Sequence, residues 1–117
     1  MKKNTLGRQY NDNDIIIKQG EEGTCLFVIQ EGKVGVFHET DEKEIPIAEL
    51  GETEFFGEMG LFEKDVRSCT VRSIGESKIL TIDKKNFYKT IQKDPSLAYR
   101  LLEKMSSRLR ETNKKLK

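Results

Sequence analysis

Turn-forming residues punctuate the first 82 positions of this 117-residue chain at intervals of about ten, whereas beyond Pro95 there is neither a glycine nor a proline. No other feature constrains the fold as strongly. A chain interrupted so often builds short strands. A stretch with no breaker from Ser96 to Lys117 builds one long helix.

In the interrupted half, Ile15-Ile16-Ile17 is a β-branched run entered from the turn cluster Asn11-Asp12-Asn13-Asp14. A second turn, Gln19-Gly20-Glu21-Glu22-Gly23, follows it. Leu26 to Gln30 predicts a strand, Glu31-Gly32 a two-residue hairpin loop, and Lys33 to Phe37 the return strand. His38 to Lys43 reads as a polar loop, Ile45, Ile47 and Leu50 as the next strand, and Gly51 to Glu54 as a turn. Thr70 to Ile74 and Lys78 to Ile82 read as a strand pair about Gly75-Glu76. Short strands at this spacing predict a small sandwich or barrel.

After Ile82 the period changes. Asp83 is a good N-cap for a helix to about Gln92, with Phe87 and Ile91 one turn apart. Asp94-Pro95 starts a second helix, the aspartate capping and the proline in the first position. Along it Ala98, Leu102, Met105, Leu109, Thr112 and Leu116 advance by steps of 4, 3, 4, 3 and 4, the seam of a two-stranded coiled coil. A stripe packed on the chain's own barrel would show similar spacing. Leu97 and Leu101 allow the first turns to do both jobs, but beyond Met105 only the seam is apolar. A parallel homodimer through this helix is therefore expected.

Composition removes several function classes. The 21 basic and 20 acidic residues leave a net charge of +1, which exerts no global pull on nucleic acid or membrane. Runs such as Cys25 to Ile29 are too short to span a bilayer, and Met1-Lys2-Lys3 leads into polar residues rather than a signal peptide. A cytoplasmic location without membrane insertion is expected. Cys25 and Cys69, 44 positions apart, read as small apolar fillers of a reduced protein. His38 is the only histidine, too few for a triad, a multi-histidine metal site or a cupin-type metalloenzyme. No catalytic residue, metal or cofactor is expected, and the chain is read as a non-enzyme. Lys114, Lys115 and Lys117 suit a helix C-terminus better than a nucleic-acid patch.

Candidate binding chemistry is concentrated in residues 55–73. Gly57 permits a backbone turn and close ligand approach, and the helical turn after Glu58 offers free N–H groups to an anion. Arg67, between a polar loop and a strand, is placed to grip a phosphate through two parallel hydrogen bonds, with the Ser68 hydroxyl beside it. Taken alone, Glu58 and Arg67 equally admit a structural ion pair.

The stretch Gly57-Glu58-Met59-Gly60-Leu61 with Arg67-Ser68-Cys69-Thr70-Val71 resembles the phosphate-binding cassette of cyclic nucleotide-binding domains. That family includes the bacterial catabolite activator, regulatory subunits of cAMP-dependent protein kinase and cyclic nucleotide-gated channels. The resemblance extends through Ile17 to Gly23, Leu26 to Gly32 and the two helices, from about Tyr10 to Lys117. It implies a mainly β fold, a double-stranded β-helix (jelly-roll) barrel with a short cassette helix and two C-terminal α-helices. The chain would be a single domain over 1–117, the barrel at about 10–82 and a helical lid and dimerisation helix at 83–117. The resemblance further implies that Glu58 accepts from the ribose 2′-hydroxyl with the Gly57 backbone nearby. Arg67 would neutralise the cyclic phosphate, while the Gly60 backbone and Ser68 complete the cradle. The base would lie toward the last helix, with Thr112, Asn113 and Arg108 as candidate contacts, although Thr112 suits the dimer seam equally well.

The function implied is a sensor for a cyclic nucleotide, cAMP in preference to cGMP. Ligand binding would repack Leu61 and Phe62 against the helix at 83–92 and shift the last helix over the base. Three positions depart from the family. Val66 stands where many members have proline, the helix ahead of the first strand is shortened to a nine-residue lead, and the chain ends where the catabolite activator begins its helix-turn-helix. Direct nucleic-acid binding is therefore not expected. The alternatives are a ligand-free dimerisation module and a fragment of a cyclic nucleotide-responsive transcription regulator.

Overall fold

Two long strands carry the sheet, and both are bent at a glycine. In chain order the strands are β1 (Arg8–Tyr10), β2 (Ile15–Ile17), β3 (Glu22–Gly23), β4 (Leu26–Glu39), β5 (Glu44–Leu50), β6 (Phe55–Phe56), β7 (Asp65–Val66) and β8 (Thr70–Ile82). Two helices follow, α1 (Lys84–Lys93) and α2 (Ser96–Leu116). The computed structural model describes residues 7–58 and 65–116, and the side chains of all of these except Asp65, Thr112, Lys115 and Leu116. The stretch Met59 to Lys64, which contains Gly60, Leu61 and Phe62, lies outside the described residues.

Strands β4 and β8 run antiparallel from Leu26 opposite Ile82 to Phe37 opposite Thr70. The hairpin expected at Glu31-Gly32 is not formed, nor is the strand pair expected about Gly75-Glu76. Each glycine instead bends a continuous strand, with positive φ of 86° at Gly32 and 72° at Gly75. The register shifts between Ile29 and Lys33, so the two bends coincide. A Cβ on Gly32 would stand 2.4 Å from the carbonyl oxygen of Glu76. Only a residue without a side chain lets the backbones approach this closely.

The bends give each long strand different neighbours in its two halves. Beside β8 lie β1 (Tyr10 opposite Ser77) and β2 (Ile15 opposite Arg72). Beside β4 lie β6 (Phe27 opposite Phe56) and β5 (Val34 opposite Leu50). This six-stranded antiparallel sheet is joined by the two-stranded β3–β7 ribbon, where Glu22 faces Val66. The result is the mainly β roll with two C-terminal helices that the sequence predicts. His38, expected in a loop, is an exposed residue of β4, because the strand continues to Glu39 before the Thr40–Lys43 turn.

Alternation along the strands fills the interior. Tyr10, Ile17, Ile29, Val34, Phe56, Val71 and Ile79 form one buried cluster, and the Phe27 and Phe56 rings stack with centroids 5.1 Å apart. The Gly51 turn closes as expected, Glu54 N donating to the Gly51 carbonyl at 3.1 Å.

The chain divides into two compact units, Met1–Lys84 and Lys85–Lys117. Asp83 precedes α1, and Asp94-Pro95 precede α2, where the Asp94 carbonyl accepts from Leu97 N at 3.0 Å. On α2, Leu97 and Leu101 are buried, whereas Leu102 and Leu109 are about two-thirds exposed at 67% and 66%. No helix among the described residues is long and apolar enough to cross a membrane.

Candidate functional site

Arg67 follows β7, and its backbone is fixed on both sides by one turn. The Gly20 amide donates to the Arg67 carbonyl and the Arg67 amide to the Glu21 carbonyl, both at 2.8 Å. The side chain then runs back across β3. A Cβ on Gly23 would lie 2.0 Å from Arg67 Nε, so a glycine there leaves the channel for the arginine.

The guanidinium is buried, 8% exposed, and its partners are neutral. Arg67 Nη1 donates to the Gly57 carbonyl at 3.1 Å and Nη2 to the Cys25 carbonyl at 2.9 Å. Its Cζ lies 6.0 Å from the centre of the Phe27 ring. The Glu58–Arg67 ion pair that the bare sequence permits is not formed. Two carbonyl dipoles orient the fork but do not neutralise it, and among the described residues no carboxylate pairs with this buried charge. Five N–H donors in a planar fork suit an oxyanion, and two of them are used for orientation.

Gly57 has φ of 78°, a conformation that favours glycine, and a Cβ there would lie 3.2 Å from Arg67 Nη1, the Cys25 carbonyl oxygen and Phe27. Glu58, next in the chain, is buried at 1% exposure. Ser68 is exposed beside Arg67, and Thr70 behind it is fully buried. A cavity of about 240 Å³ opens beside the guanidinium, lined by Ile16, Lys18, Glu21, Gly23, Cys25 and Phe27 among others.

The structure thus brings Gly57 and Arg67 into direct contact, with Glu58 and Ser68 as their chain neighbours. Gly60 lies outside the described residues, as does the side chain of Thr112. Arg108 and Asn113 are exposed on α2, in the helical unit. Sequence reasoning gave no role to Gly23, to the Cys25 carbonyl or to Phe27. Gly23 stood within a quoted motif but read only as a turn residue.

Glu39, at the end of β4, is held by Lys18 and by Thr70, three residues beyond Arg67. The Thr70 hydroxyl donates to Oε2 at 2.7 Å, and Lys18 Nζ lies 2.9 and 3.0 Å from the two carboxylate oxygens. The Thr70 hydrogen bond first, and Lys18 second, hold the Glu39 carboxyl below the usual carboxylate range.

The family model for the cyclic nucleotide-binding domain matches residues 7–94. The cAMP-activated global transcriptional regulator Vfr of Pseudomonas aeruginosa is 36% identical, over 93% of this chain and 53% of its own length. The cAMP-dependent protein kinase regulatory subunit of Dictyostelium discoideum is 34% identical, over 67% of this chain and 25% of its own length. Among solved structures, the Thermus thermophilus catabolite activator protein superposes with a TM-score of 0.78 at 28% identity, covering 97% of this chain and 55% of that one. The chain spans about half the length of the curated transcriptional regulators it matches.

Proposed function

Because the chain belongs to the cyclic nucleotide-binding domain family, we propose that it is a regulatory module that binds cAMP at Arg67. The observation that carries this reading is the buried Arg67 guanidinium, oriented by two carbonyls and paired with no carboxylate among the described residues. A cyclic phosphate carries one negative charge and two exocyclic oxygens, which match the charge and fork geometry of such a site. Buried Glu58 is assigned the ribose 2′-hydroxyl, and Ser68 and the Gly60 backbone the remaining phosphate contacts. Thr112, Asn113 and Arg108 are proposed for the base. The preference for cAMP follows the curated relatives, which are named for cAMP.

The module is proposed to regulate rather than catalyse, in keeping with relatives named as regulators. Transcriptional regulators about twice as long as the matched region support a second reading, in which the module is the sensing half of such a protein. The expectation that it works without nucleic acid therefore has no support among these relatives. Calorimetric titration with cAMP, cGMP and acyclic 5′-AMP tests the ligand assignment. The expected order is cAMP, then cGMP, with 5′-AMP weakest. Failure of both cyclic nucleotides to bind would overturn the reading.

A further inference from the structure

The segment that presents Arg67 is tied, through Thr70 and the turn at Gln19, to the far end of β4. Glu39, at the far end of β4, meets both Thr70, three residues beyond Arg67, and Gln19, in the turn that holds the Arg67 backbone. The Thr70 hydroxyl donates to Glu39 Oε2 at 2.7 Å and accepts from Gln19 N at 3.0 Å. Gln19 bonds the Glu39 backbone twice, Nε2 donating to its carbonyl at 2.9 Å and Oε1 accepting from its amide at 2.8 Å. Gln19 leads directly into Gly20 and Glu21, the two residues whose backbones hold Arg67 at 2.8 Å on either side.

We propose that Glu39 is a positioning residue for the ligand site, fixing the Lys18–Glu21 turn against Thr70 so that the Arg67 backbone is presented in one place. This rests on the functional reading above and extends it to a residue that touches no ligand. The energetics favour a geometric role over a stabilising one. The Lys18–Glu39 pair is 44% and 24% exposed, and an ion pair so open to solvent contributes little to stability. Thr70, by contrast, is fully buried, and its hydroxyl serves as both donor and acceptor where three segments meet. The register adds a reason for the charge pairing. Glu39 stands opposite Glu44 across β4–β5, and the two like charges are taken up by separate cations, Lys18 and Arg72.

The test uses the full chain and the variants Glu39→Gln, Thr70→Val and Thr70→Ser. In ligand-free protein, Glu39→Gln should speed hydrogen exchange at the Gln19, Gly20 and Arg67 amides by about tenfold, while the β4–β8 ladder amides stay unchanged. Affinity for cAMP should fall by about tenfold in Glu39→Gln and Thr70→Val, and Thr70→Ser should restore most of it. In an Arg67→Lys background, where the fork is already lost, Glu39→Gln should cost less than about twofold. Unchanged exchange at the three loop amides overturns the proposal, and so does a Glu39→Gln effect on affinity that is fully additive with Arg67→Lys. If the wild-type chain binds neither nucleotide, the functional reading fails, and the exchange comparison still decides the role of Glu39.

Discussion

Arg67 is constrained at two levels, its backbone by Gly20 and Glu21 and its guanidinium by the carbonyls of Gly57 and Cys25. The first sets where the side chain starts and the second where its fork points, so the entropy of ordering an arginine is lost on folding rather than on binding. Glu39 acts one step behind. Its carboxyl is held below the usual range by the Thr70 hydrogen bond and then by Lys18, so its contribution to stability is fully present above the ordinary carboxylate value. That contribution is lost as pH falls through the lowered value. Thermal unfolding of wild type and Glu39→Gln across the acid range should show a constant gap near neutrality that narrows below the usual carboxylate range. A gap that widened on acidification would contradict the assignment of Glu39 as a charged partner of Thr70 and Lys18.

At the scale of elements, the coincident bends of β4 and β8 shape the roll. Gly32→Ala adds a Cβ 2.4 Å from a backbone oxygen at a φ of 86°, so a loss of about 1–3 kcal/mol is expected in denaturant unfolding. Gly51→Ala, where a Cβ meets nothing within 4 Å, should cost far less. Equal effects would mean that the bends carry no special constraint. The same bends explain what the sequence hid. A glycine that bends a strand and a glycine that ends one look alike locally, because the difference lies in pairing with residues some forty positions away. The β2 and β5 strands and both helices were legible because their signals, period and capping, are local. Arg67, Glu58 and Gly57 could be singled out because a guanidinium, a carboxylate and a missing side chain are properties of the residue itself. The Cys25 carbonyl was not, since every residue has a carbonyl, and the Glu39–Thr70–Gln19 clamp needs a register that no local pattern encodes.

For the molecule as a whole, α2 presents two leucines of the expected seam, Leu102 and Leu109, to solvent, while Leu97 and Leu101 are buried. Exposed leucines at this spacing on an uninterrupted helix are what the expected homodimer requires. Sedimentation equilibrium at micromolar concentration should return twice the 13.5 kDa chain mass, and the double variant Leu102→Glu/Leu109→Glu should return a single chain mass. A monomeric wild type would contradict the dimer. The proposed cAMP binding depends on one side chain, that of Arg67. Calorimetric titration of cAMP into wild type and Arg67→Ala tests it most directly. Loss of a charge-assisted bidentate contact should cost about 2 kcal/mol or more, roughly a thirtyfold weaker affinity, with the fold retained by circular dichroism. An Arg67→Ala protein that binds cAMP as tightly as wild type would show that the phosphate is held elsewhere.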